Sequence, residues 1–147
     1  MIMDLESRAR FRNAIAVLNP RIVAFCLKRG YEEEAFRTFP SWGLRKSDPP
    51  PSFIEIELAL EKFASNEFVF TPDCVFSISC GSTYQDGNFH YVLDGPFRLT
   101  YVTFSQLTRM IDRILRVADH FLSINSVEDV LAKGIRFDFT RCYEHDF

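Results

Sequence analysis

Residues 74–104 read CVFSISCGSTYQDGNFHYVLDGPFRLTYVTF, and their apolar residues fall into line in one strand register. Asp86-Gly87 predicts a two-residue type I′ hairpin turn. That turn sets Tyr84 opposite Phe89, Ser82 opposite Tyr91 and Cys80 opposite Leu93. The loop Asp94-Gly95-Pro96 then sets Leu93 opposite Phe97, Tyr91 opposite Leu99 and Phe89 opposite Tyr101. One face of this three-stranded meander carries Cys74, Phe76, Ile78, Cys80, Phe89, Tyr91, Leu93, Phe97, Leu99 and Tyr101. The other carries Val75, Ser77, Ser79, Thr83, His90, Val92, Arg98 and Thr100. Side chains alternate along a strand, so a slip of one residue would turn an apolar set toward water.

Working outward, Thr103 and Gln106 form a capping box for a helix over 104–123. Its apolar stripe, Leu107, Met110, Ile111, Ile114, Ala118 and Phe121, is expected to cover the meander. At the N-terminus Asp4 caps a first helix with Leu5, Phe11, Ala14, Ile15 and Leu18 on its buried side. Asn19-Pro20 reads as the end of that helix and the start of a second, which carries Ile22, Phe25 and Cys26 and stops at Gly30.

Residues 31–51 read as a long connector pinned to the body by Phe36, Phe39 and Trp42. Residues 53–64 fit either strand alternation or helical spacing; the capping box Ser52/Glu55 decides for helix. Ser126 caps a short helix ended by Gly134. The resulting fold class is α+β. An antiparallel sheet of about five strands (the meander 74–103 plus strands near 67–71 and 135–141) packs against N-terminal helices and helix 104–123. The length of 147 residues suits one such domain.

The net charge of −3 hides a segmental asymmetry. Residues 1–30 carry +4, residues 31–96 carry −7, residues 97–116 carry +3 and the last 31 carry −3. Such segregation points to charged contact surfaces. No apolar run is long enough for a bilayer span, and the N-terminus lacks the apolar core of a secretory signal. The expected compartment is the cytoplasm, with the four cysteines reduced.

Catalytic and metal motifs are missing from the sequence. The register puts Cys80 and His90 on opposite faces, which separates the one nearby thiol–imidazole pair. Cys142-x-x-His145 has no second ligand pair beside it, so neither a metal nor a cofactor is expected. Phosphate-cradling glycine motifs are absent as well.

Three surfaces remain. The acidic tract Glu32, Glu33, Glu34, Asp48, Glu55, Glu57 and Glu61, with Trp42 as an aromatic anchor, suits a basic protein partner. The expected function is therefore a non-catalytic protein-binding domain, concretely a small acidic inhibitor or immunity protein that blocks a bacterial toxin, such as a nuclease. The second surface is His90 with Arg98, which fits a small-ligand or enzymatic pocket between sheet and helices. The third is the helical row Arg109, Arg113, Arg116 and His120, which suits phosphates, although the acidic balance disfavours nucleic acid.

Overall fold

The computed structural model describes residues 2–34, 41–47, 52–59, 67–86, 89–92 and 100–124. Its α-helices are α1 (Leu5–Arg29) and α2 (Phe104–Ile124). The strands are β1 (Ile2–Met3), β2 (Glu32–Glu34), β3 (Ser41–Lys46), β4 (Ser52–Leu58), β5 (Glu67–Phe68), β6 (Val75–Asp86), β7 (Phe89–Val92) and β8 (Thr100–Thr103). The main sheet is antiparallel and runs β2-β3-β4-β6-β7, with β8 also paired to β6. Helices α1 and α2 pack on each other, and α2 also lies on β4, β6 and β8. The expected α+β class is what the structure shows.

The 25 residues of α1 form one helix, where sequence suggested two. Proline removes a backbone donor, but Pro20 faces solvent, so water can satisfy the carbonyl of Ala16 that loses its partner. The cap at Asp4 forms as expected: its Oδ1 accepts from Ser7 N at 2.7 Å. Gly30 ends the helix at φ 76°, donating to the carbonyl of Cys26 at 2.9 Å. Leu18, Ile22, Phe25 and Cys26 are buried as read, whereas Leu5 is 81% exposed.

The 53–64 helix is overturned. Residues 52–58 are strand β4, hydrogen bonded to β3 on one side and β6 on the other. A central strand has backbone partners on both edges, and that outweighs a local capping box. The connector is corrected too, since β2 and β3 lie within it.

The meander changes in two ways. Asp86 pairs with Phe89 and Tyr84 with Tyr91, two residues off the expected register and therefore with the same alternation. Strand β8 then pairs with β6 and not with β7, setting Val102 opposite Phe76 and Tyr101 opposite Ser77. That is a one-residue change of face: Val102 is buried and Tyr101 is 51% exposed. The strand expected near 67–71 is β5, only two residues long, and it pairs in parallel with β1 apart from the main sheet. The strand at 135–141, the helix after Ser126 and the Cys142/His145 pair lie outside the described residues.

The core sits between the sheet and the two helices. Across the strands run the rows Trp42–Ile56–Ile78 and Leu44–Ile54–Cys80, with Leu58–Phe76–Val102 beside them, all buried. Burying each large apolar side chain contributes about 1.5–3 kcal/mol. Leu115, Val117 and Leu122 are buried along with Leu107, Met110, Ile111, Ile114 and Ala118 of the expected α2 stripe, while Phe121 is half-buried. Because α2 touches both the sheet and α1, a wider arc of its surface is covered.

Candidate functional site

Strand alternation places the acidic residues. On β4, Ile54, Ile56 and Leu58 face the core, so Phe53, Glu55 and Glu57 take the opposite face. Register carries that face to Arg45, Gly43 and Ser41 on β3 and to Gly81, Ser79 and Ser77 on β6. Glu32 lies opposite Arg45, which extends the face to β2. Three glutamates therefore occupy one sheet face, at 32, 55 and 57.

The face is not uniformly charged. Arg45 lies 3.4 Å from Glu55 Oε1, and its guanidinium sits over the Phe53 ring at 5.9 Å from the centroid. Phe53 is 1% exposed even though it lies opposite the core rows. Glu32 and Glu57 are exposed, and Tyr101 stands in the same cross-strand row as Glu57 and Ser77. Sequence puts Tyr101 on the apolar face; the β6–β8 pairing reveals it as an exposed ring in the row of Glu57.

One member of the acidic reading is displaced and another stands apart. Glu33 pairs with Leu44, on the alternation opposite to Glu32, and is exposed, while partial desolvation holds its carboxyl above the usual carboxylate range. Trp42 is corrected from surface anchor to core residue: it is 1% exposed, and its indole N–H donates to Asn19 Oδ1 at 2.7 Å. Alternation on β3 buries Trp42 and Leu44 together, a pattern hidden when 31–51 is read as a connector. Asp48 and Glu61 lie outside the described residues.

The helical row stands on the outer side of α2. Arg109 and Arg116 are exposed, while Arg113 and His120 are half-buried. The acids interleaved with them tie the helices together. Asp112 Oδ2 accepts from Arg21 NH2 at 2.8 Å, and Asp119 Oδ1 accepts from the Tyr31 hydroxyl at 2.8 Å. Arg29 and Lys46 also lie within 3.5 and 3.8 Å of the Asp119 carboxylate. These contacts place two negative charges within the basic row, which weakens its field for phosphates.

For the alternative pair, His90 lies opposite Gln85, at a position of opposite parity to Cys80. Arg98 lies outside the described residues. Cys26, Cys74 and Cys80 are buried free thiols. Burial pushes the Cys26 thiol up to about 11, helped by the nearby Glu33 charge, and raises Cys80 as well. A thiol so shifted is not a nucleophile at neutral pH. Among the described residues no helix is long and apolar enough to cross a membrane.

No family model, curated protein or solved structure matches the chain.

Proposed function

We propose that this chain is a non-catalytic protein-binding domain whose sheet face engages a basic surface. In its concrete form it is a small acidic inhibitor or immunity protein that covers the active-site cleft of a bacterial nuclease-type toxin. The observation that supports this reading is the placement of Glu32, Glu55 and Glu57 on the sheet face opposite the core, with the exposed ring of Tyr101 in the cross-strand row of Glu57. Glu55 and Glu57 are two positions apart on one strand, a spacing of about 6.6 Å that resembles successive phosphates of a nucleic-acid strand. A rigid strand presents those charges with little ordering cost, and a tyrosine in the row of Glu57 supplies an anchor of the kind that dominates interface energetics.

The test uses a basic nuclease toxin domain encoded beside this reading frame. Adding the chain should abolish its nuclease activity, with association slowed by raised salt. Replacing Glu32→Lys and Glu57→Lys together should cut the association rate by roughly tenfold or more. Both glutamates are exposed, so the pair of changes leaves the fold intact. Inhibition that ignores both salt and charge reversal would remove the electrostatic reading.

A further inference from the structure

We infer that a cleft at the α1–α2 corner, away from the acidic face, is a binding site for a small apolar monocarboxylate. The inference does not depend on the protein-binding reading above. The cleft encloses about 550 Å³, within the size range of small-molecule sites. Successive turns of α1 supply Arg10, Ala14 and Val17, the 70–72 segment supplies Phe70, and α2 supplies Phe104 and Thr108.

The local structure explains why the cleft is preformed. Ser7 Oγ accepts from Phe70 N at 3.2 Å, which fixes the 70–72 segment against the start of α1. The amides of Phe104 and Ser105 donate to the carbonyls of Cys74 and Pro72 at 2.7 and 3.0 Å, which fixes α2 to the other end of the same turn. The rings of Phe70 and Phe104 meet edge to face, 65° between planes and 5.0 Å between centroids, and form an angled apolar base. Aromatic edges and faces at the base suit a ligand with an aryl hydrocarbon body.

Two polar features set the head group. Thr108 lines the cleft, yet its Oγ1 is buried without a hydrogen-bond partner. A change of χ1 rotamer on ligand binding would be needed to bring that hydroxyl to the cleft, where the ligand would supply the partner it lacks. Arg10 stands at the rim, engaged with Glu6 in an exposed i,i+4 pair. Exposed pairs of this kind contribute little, so a ligand carboxylate can take the place of Glu6. Arg10 is the one charged side chain among the described residues that line the cleft. A donor from Thr108 and a guanidinium from Arg10 match a carboxylate, with the hydrocarbon on Phe70, Phe104 and Val17.

The experiment titrates naphthaleneacetate, and its neutral counterpart naphthaleneethanol, into the full chain by calorimetry. The acid should bind saturably with one-to-one stoichiometry, and Arg10→Ala should weaken it roughly tenfold while leaving the alcohol unchanged. Val17→Trp, at a position half exposed and therefore tolerant, should fill the cleft and abolish binding of both. Thr108→Val should also weaken the acid. No saturable binding of the acid, or binding that survives Val17→Trp in a folded protein, would overturn the site. Equal affinity for acid and alcohol would overturn its assignment to carboxylates.

Discussion

Trp42 Nε1 donates to Asn19 Oδ1 at 2.7 Å, so the one tryptophan of the chain is anchored to the middle of α1. The bond joins β3 to the residue just before Pro20, where sequence suggested a helix break. It makes Asn19 a half-buried acceptor within a continuous helix and not a cap.

Asn19→Ala should therefore remove the bond that ties β3 to α1 inside the fold. The expected loss is about 1–3 kcal/mol of unfolding free energy, read from the urea midpoint. Tryptophan fluorescence should report the same transition, because the indole is otherwise enclosed.

Gly30 carries a positive φ of 76°, which a side chain adopts only with strain. A Cβ there would meet Lys46 Cε at 3.8 Å, an ordinary contact, so the cost is purely conformational. Gly30→Ala should destabilise by about 1 kcal/mol, and Gly30→Asn by less. Chemical denaturation of the pair separates the two outcomes.

Alkali should weaken the fold. Tyr31 is held above its ordinary value of 10.0 by burial first and then by its bond to Asp119, and Cys26 and Cys80 are raised above 9.0 mainly by burial. Once the unfolded chain ionises these groups, it binds fewer protons than the folded chain, so stability falls as pH rises. Each group contributes a slope of about 1.4 kcal/mol per pH unit between its unfolded and folded values. Urea midpoints should drop from about pH 9 upward, and Tyr31→Phe should flatten the part above about pH 10.

Thiol reactivity offers a separate check on the core. Iodoacetamide at neutral pH should leave Cys26, Cys74 and Cys80 unmodified in the native protein and label all three in urea. Peptide mass spectrometry reads each site. Rapid native labelling of Cys80 would contradict its placement in the Leu44–Ile54 row.

Thr108→Val should raise stability slightly in the absence of ligand. The hydroxyl of Thr108 is buried without a partner, and valine keeps the branched shape while removing that cost. An increase of about 1 kcal/mol or less in unfolding free energy is expected.

Features decided within a few residues were legible. The capping box of α2 forms as read, Thr103 N reaching Gln106 Oε1 at 2.9 Å and Gln106 N reaching Thr103 Oγ1 at 3.2 Å. The Asp4 cap, the Gly30 stop and the buried set Cys74, Phe76, Ile78 and Cys80 also follow from neighbours in the chain. The placement of Glu55 and Glu57 away from Ile56 is the same on a strand as on the expected helix.

Partner choice was not legible. Ser52/Glu55 signals a helix start in isolation, but β3 and β6 offer hydrogen bonds along both edges of 52–58. Likewise the Asp94-Gly95-Pro96 loop argues for a β7–β8 hairpin, whereas β8 finds β6, and this single choice moves Tyr101 from core to surface.

What sequence determined alone is therefore the local grammar: helix caps, helix stops and the inward parity of β6, each set by atoms a turn or two apart. Tertiary structure decided which strands neighbour which, and through that the exposure of Tyr101, the burial of Trp42 and the cleft between Phe70 and Phe104. Strand pairing joins residues distant in the chain, and its free energy depends on the whole sheet and the helices laid on it.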